Sequence, residues 1–234
     1  AKVWETTTGK LVSTLTGHTS AVNNANFSPD GKTIVTASGD KTVKVWETKT
    51  GKLVSILTGH KSTVNNANFS SDGKMIVTAS GDKTAKVWET TTGKLLFTLE
   101  HTDIVNNANF SPDGKTIVTA SNDKTAKVWE TTTGKLVSTL IGHTSYVNNA
   151  NFSPDGKTIV TASDDKTAKV WETTTGKLVS TLIGHTSYVN NANFSPDGKT
   201  IVTASDDKTV KVWETKTGKL VSTLTGHIST VNNA

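Results

Sequence analysis

The chain has 234 residues, 33% of them hydrophobic, 18 Gly, no Cys and a formal charge of +5. Without cysteine it can form no disulfide, thiolate metal site or cysteine nucleophile. Every basic residue is Lys, so bidentate guanidinium contacts to phosphate or guanine are excluded, and the even spread of the Lys reads as a solvated rim with no nucleic acid as partner.

No run approaches the ~20 apolar residues of a membrane span, and the start AKVWETTTGK lacks the apolar stretch of a signal peptide. The sequence therefore reads as soluble and cytoplasmic, with no membrane as partner.

Trp4, Trp46, Trp88, Trp129, Trp171 and Trp213 recur at spacings of 42, 42, 41, 42 and 42 residues. The short interval reflects a deletion before His101. Within one period, Gly17 to Leu57, four β-branched or aromatic runs alternate with turn clusters. VNNANF reads as strand A, TIVTAS as strand B, TVKVW as strand C and KLVSIL as strand D. SPDG places Pro and Gly where a type I turn wants them. Nothing has helical periodicity, so the fold class is all-β. One such sheet cannot bury both faces alone, and stacking on the next repeat is required.

The Gly-His pair, FSPDGK, the turn Asp and VW followed by an acid together resemble the WD-repeat (WD40) β-propeller family, along the whole chain. Two departures are Glu for Asp after every Trp and Ser71 in place of the Pro of four other repeats. The resemblance implies one propeller domain over residues 1–234, with four-stranded blades at about 20–57, 62–99, 103–140, 145–182 and 187–224. Because residues 1–25 nearly repeat 210–234, a sixth, incomplete blade is expected to be split between residues 229–234 and 1–15, for a total of 23 strands. Its unpaired edges make self-association through the incomplete blade an expectation. The missing initiator Met and the stop inside strand A also suggest a segment of a longer array.

Five sets of residues look like chemistry: His18, Thr36, Asp40, Trp46; His60, Thr78, Asp82, Trp88; His101, Thr119, Asp123, Trp129; His143, Thr161, Asp165, Trp171; and His185, Thr203, Asp207, Trp213. A hydroxyl, an imidazole and a carboxylate invite a nucleophilic triad. An active site has no reason to occur five times, however, and no oxyanion motif or nucleophile elbow accompanies it. The family resemblance implies instead a structural tetrad, in which indole N–H, Thr hydroxyl, imidazole and Asp are linked in series. Each repeat offers only one His and one Asp, so no metal site is expected, and TGKL lacks the upstream Gly and the Ser/Thr of a phosphate loop. No catalytic residue and no cofactor are assigned. The Asn-Phe-Ser sequons at Asn26, Asn68, Asn109, Asn151 and Asn193 lie in the innermost strand and read as amides facing the centre and the neighbouring blades.

Differences between near-copies point to the functional surface. The third residue after His is Ala21, Thr63, Ile104, Tyr146, Tyr188 or Thr230, and the residue before the turn Asp is Gly39, Gly81, Asn122, Asp164 or Asp206. Both positions belong to the rim formed by D-to-A loops and B-to-C turns, which the resemblance implies is the partner-binding face. Tyr146, Tyr188, Asp164 and Asp206 are the candidate contact residues for a protein or peptide, with drift between duplicated repeats as the competing account. The sequence thus reads as a non-enzymatic interaction scaffold, similar to the sensor arrays of nucleotide-driven switch proteins. The alternative is a purely structural, oligomer-forming array.

Overall fold

The computed structural model describes residues 1–234 and holds 22 strands, numbered β1 to β22 in chain order. The chain divides into two compact units, Ala1–Ala108 and Asn109–Ala234.

In the first unit, β1 (Lys2–Trp4) and β2 (Leu11–Thr14) form a two-stranded sheet. A four-stranded antiparallel sheet follows, made of β3 (Val22–Phe27), β4 (Thr33–Ser38), β5 (Val43–Glu47) and β6 (Leu53–Leu57) in that order. The next sheet comprises β7 (Val64–Phe69), β8 (Met75–Ser80), β9 (Thr84–Glu89) and β10 (Leu95–Glu100). The unit boundary falls within β11 (Val105–Phe110), which forms a sheet with β12 (Thr116–Ser121), β13 (Thr125–Glu130) and β14 (Leu136–Ile141). In the second unit, β15 (Val147–Phe152), β16 (Thr158–Ser163), β17 (Thr167–Glu172) and β18 (Leu178–Ile183) form one sheet. The last consists of β19 (Val189–Phe194), β20 (Thr200–Ser205), β21 (Val210–Glu214) and β22 (Leu220–Leu224).

β4, β8, β12 and β16, the second strands of their sheets, are nearly continuously buried. One face of β16–β18 supplies Val160, Ala162, Ala168, Val170 and Leu182, against which β19–β21 set Val189, Ala192, Ile201 and Trp213. The same packing recurs in the first unit, where Val35, Ala37, Val43, Val45 and Leu57 meet Val64, Ala67, Ile76 and Trp88. Burial of a large apolar side chain is worth roughly 1.5–3 kcal/mol, so the repeated inter-sheet contact is the main cohesive term.

Side-chain amides reinforce it. Asn148 Nδ2 donates to the Val189 carbonyl at 3.0 Å and Asn151 Nδ2 to the Ala192 carbonyl at 2.9 Å. Asn23 and Asn26 make the equivalent bonds to Val64 and Ala67, both at 2.9 Å. Inner-strand carbonyls are thereby satisfied by the preceding sheet.

The termini depart from the split sixth blade. The incomplete sheet contains only β1 and β2, both N-terminal, and Val231–Ala234 forms no strand, so the chain has 22 strands where 23 were expected. Val231–Ala234 instead lies on the last sheet. The Val231 N–H donates to the Ser205 carbonyl at 3.1 Å, and its side chain joins Ala204 and Val210. Asn190 and Asn193 hold the Val231 and Ala234 carbonyls at 3.0 and 2.8 Å. The physical reason is the missing strand B: a strand A pairs only with its own strand B, and without one the segment keeps inter-sheet contacts but has no ladder.

Candidate functional site

In the His18, His60, His143 and His185 sets the same four side chains are joined in series. Trp171 Nε1–H donates to Thr161 Oγ1 at 2.8 Å, Thr161 Oγ1 meets His143 Nε2 at 2.7 Å, and His143 Nδ1 meets Asp165 Oδ2 at 2.7 Å. The His18 set has 2.8, 2.7 and 2.8 Å for the same steps, the His60 set 3.0, 2.7 and 2.8 Å, and the His185 set 2.9, 2.7 and 2.7 Å. Trp129 Nε1–H donates to Thr119 Oγ1 at 2.9 Å, and His101 is buried.

Donor and acceptor inventory fixes the proton positions. Indole is a donor only and carboxylate an acceptor only, so the neutral imidazole carries its proton on Nδ1, and Nε2 accepts from the Thr hydroxyl. Burial pushes His60 and His185 below the usual imidazole range, and it outweighs the opposing pull of Asp82 and Asp207. For the carboxylates, burial acts upward but is overcome by hydrogen bonds. Those from Thr84, the Lys61 N–H and His60 bring Asp82 down to about 2; those from Thr209, His185 and the Thr186 N–H bring Asp207 to about 2. Asp40 and Asp165 are likewise held well below the ordinary carboxylate range.

This electrostatic pattern disqualifies the sets as catalytic. The imidazole is wedged edge-on to the indole at 6.0–6.3 Å between ring centres and is almost solvent-free, while the hydroxyl is already shared between two partners. Both imidazole nitrogens and the Thr hydroxyl are already engaged in hydrogen bonds, so no free lone pair is left to act as base or nucleophile. No group of three or more His, Asp or Glu could hold a metal ion.

The preceding Gly has a clear role at two positions. Gly17 and Gly59 have φ of +151° and +145°, and a Cβ there would sit 3.3 Å from the Cη2 of Trp46 and Trp88. The Gly-His pair thus lets the backbone cross directly over the indole. The Glu after each Trp, the departure from the family pattern, accepts a hydroxyl hydrogen bond in the C-to-D turn, as Glu47 does from Thr50.

The family model for the WD domain, G-beta repeat, matches residues 9–47, 51–89, 93–130, 134–172 and 176–214. The chain belongs to the WD40 family. No curated protein matches it. WD40 repeats are in general protein-interaction scaffolds that engage partners through blade loops, and in this WD40 chain the imidazoles and carboxylates of these sets are taken up in structural bonds. No helix is long and apolar enough to cross a membrane.

The four rim candidates fall at one end of the last two blades. The Asp164 N–H donates to the Tyr146 carbonyl and the Asp206 N–H to the Tyr188 carbonyl, each at 3.0 Å, so the D-to-A loop and the B-to-C turn are directly joined. Tyr146 and Tyr188 are 45% and 48% exposed. Gly39 and Gly81 make the same backbone bonds to Ala21 and Thr63 at 2.9 Å, which leaves the side-chain positions as the difference. Asp164 Oδ1 accepts from Asn148 Nδ2 at 2.7 Å, and Asp206 Oδ1 from Asn190 Nδ2 at 2.7 Å. These carboxylates therefore brace the amides that tie adjacent sheets, a role that sequence reasoning missed.

It also missed Ile141 and Ile183. Each is 75% exposed, ends the D strand leading to Tyr146 or Tyr188, and replaces the Thr16 and Thr58 of the first repeats. Their joint occurrence with Tyr and Asp in the same two repeats was the available signal.

Proposed function

We propose that this WD40 chain is a non-enzymatic scaffold whose binding arc is the rim of the β15–β18 and β19–β22 sheets, and that it serves as part of the sensor array of a larger, cytoplasmic signalling protein. The observation that carries the reading is the coincidence of three substitutions, Ile, Tyr and Asp, in the two repeats at residues 134–172 and 176–214 and in no other repeat. Half-exposed Tyr offers a rigid apolar ring with a polar tip, the chemistry enriched at protein interfaces. A protein or peptide partner then docks asymmetrically, on one arc.

The test is recovery of partners from the source cell by wild type and by Tyr146→Ala/Tyr188→Ala. Loss of an aromatic anchor typically costs ~2 kcal/mol, about a 30-fold drop in affinity. Identical recovery by both proteins, at unchanged thermal stability, refutes the assignment.

A further inference from the structure

Two carboxylates of the second unit keep a charge that the chain itself does not meet. Asp30, Asp72, Asp113, Asp155 and Asp197 each lie 3.5–3.9 Å from the Nζ of the Lys two residues on. Asp40, Asp82, Asp165 and Asp207 are bonded to the tetrad imidazoles at 2.7–2.8 Å. Asp164 and Asp206 have no cation beside them. Each spends Oδ1 on one neutral amide, that of Asn148 or Asn190, while Oδ2 has no partner and stays open to solvent. In the equivalent turns of the first unit Asp40 faces Lys41 and Asp82 faces Lys83 in number, whereas Asp164 and Asp206 are additional to the pairs Asp165 with Lys166 and Asp207 with Lys208. Apolar groups accompany them. In the β15–β18 sheet Tyr146 precedes the first strand, Asp164 follows the second, and Ile183 ends the fourth opposite Thr167, so all three lie at one end of the sheet. Tyr188 and Asp206 hold the same places in the β19–β22 sheet that packs against it.

Resting on the rim reading above, we infer that the partner is an extended basic peptide, in which two Lys or Arg residues three positions apart meet Asp164 and Asp206 and apolar neighbours lie on Tyr146, Ile183 and Tyr188. The sign of the partner follows from charge complementarity: a cation satisfies each free Oδ2, and an acidic segment is repelled. The spacing follows from the repeat. Packed sheets lie about 10 Å apart, which sets the separation of the two carboxylates. A chain in the polyproline II form advances about 9 Å in three residues and returns to the same face, so residues i and i+3 match the two acids. A β-strand returns to one face only every second residue, at about 7 or 13 Å, and fits neither. Exposed aromatic rings are also the surface on which such extended segments dock.

Selection of random dodecapeptides displayed on phage, with the immobilised chain as bait, tests this. The enriched pool is expected to carry Lys or Arg pairs three positions apart beside apolar residues. The strongest peptide, fluorescein-labelled, is then titrated by anisotropy against wild type, Asp164→Asn/Asp206→Asn and Tyr146→Ala/Tyr188→Ala, each first shown to keep the wild-type circular dichroism spectrum. The Asn variant retains a carbonyl for the Asn148 and Asn190 amides and removes only the charge. Exposed ion pairs are individually weak, so it should bind about fivefold less tightly at about 0.05 M salt, and the difference should vanish by about 0.5 M. Placing the two basic residues side by side should lower the affinity to that of a peptide with only one. Enrichment of acidic or uncharged peptides, of basic pairs seven apart as a helix would need, or of nothing above background overturns the proposal. So does an Asn variant that binds as tightly as wild type while the Tyr variant fails to bind, a result that leaves the rim reading standing. A peptide that binds the Tyr variant undiminished sits elsewhere and overturns both.

Discussion

Asp165 and Asp164 are adjacent acids with opposite expected consequences when truncated. Asp165 accepts four hydrogen bonds: from His143 Nδ1 at 2.7 Å, the Thr144 N–H at 3.1 Å, the Thr167 N–H at 3.0 Å and the Thr167 hydroxyl at 2.6 Å. In Asp165→Ala the three Thr donors, on exposed Thr144 and on Thr167 at the half-buried start of β17, lie close enough to solvent for water to replace the carboxylate. His143 has no such recourse, because its side chain is 1% exposed. A buried donor left without a partner costs about 1–3 kcal/mol, and loss of the charge-assisted bonds that close the turn brings the expected total to about 3 kcal/mol. For a chain of this length that corresponds to a fall in Tm of roughly 6–12 °C. Asp164→Ala removes one bond from Asn148, whose amide keeps the Val189 carbonyl, and should cost at most about 0.5 kcal/mol. Scanning calorimetry of the two variants at pH 7.5 decides. Equal Tm shifts would refute the claim that the tetrad is a buried structural chain whose acid cannot be replaced by water.

The pH dependence of stability follows from the same groups. His60 and His185 have folded pKa values below 6.5, so the unfolded chain takes up protons first as pH falls, and Tm should decline from about pH 6.5 downward; a flat or rising Tm between pH 8 and 5 would contradict this. A second, steeper loss is expected as pH drops below about 4 towards the folded values of about 2 at Asp82 and Asp207, because the paired carboxylates are then protonated in the unfolded chain first. Gly59→Ala meets both a φ of +145° and the Trp88 ring, whereas Gly226→Ala meets only a φ of +127°, so urea titration should show Gly59→Ala to be the more destabilising by about 1 kcal/mol or more; equal midpoints would show that the indole contact is unimportant.

The strand pattern was legible because each strand type has its own alternation of β-branched and polar residues between turn residues of distinctive chemistry. Other features were hidden for identifiable reasons. Val45 and Trp46 flank a bulge against β6, which re-aims the indole, yet a bulge leaves no mark in a run such as TVKVW. Lys41, Lys83, Lys124, Lys166 and Lys208 adopt φ of 68–71°, a conformation that sequence reasoning gives to Gly or Asn. It is imposed from outside the residue: Asp40 Oδ1 binds both the N–H and the hydroxyl of Thr42 and closes the turn around Lys41. The C-terminal segment was misread because VNNA carries the sequence of a strand, while strand formation depends on a partner ladder that its own residues do not encode.

Repetition also explains why variation concentrates where it does. A substitution in Thr161 or Trp171 breaks a chain of four bonded groups, and the same chain recurs with nearly unchanged distances in the neighbouring repeat, so the interior admits one solution many times over. The residue before the turn Asp makes the same backbone N–H bond to the D-to-A loop whether it is Gly39, Gly81, Asp164 or Asp206, and the side-chain bonds of Asp164 and Asp206 to Asn148 and Asn190 are additions to it. Its side chain is therefore free to change while the loop and turn stay joined. The tetrad and the rim sit one residue apart, and the former holds the latter in place: Asp165 fixes His143 and the Thr144 N–H, and the chain between them and β15 carries Tyr146. A surface built this way can acquire a new partner by exchanging Ala for Tyr and Gly for Asp without altering a single bond that the fold depends on.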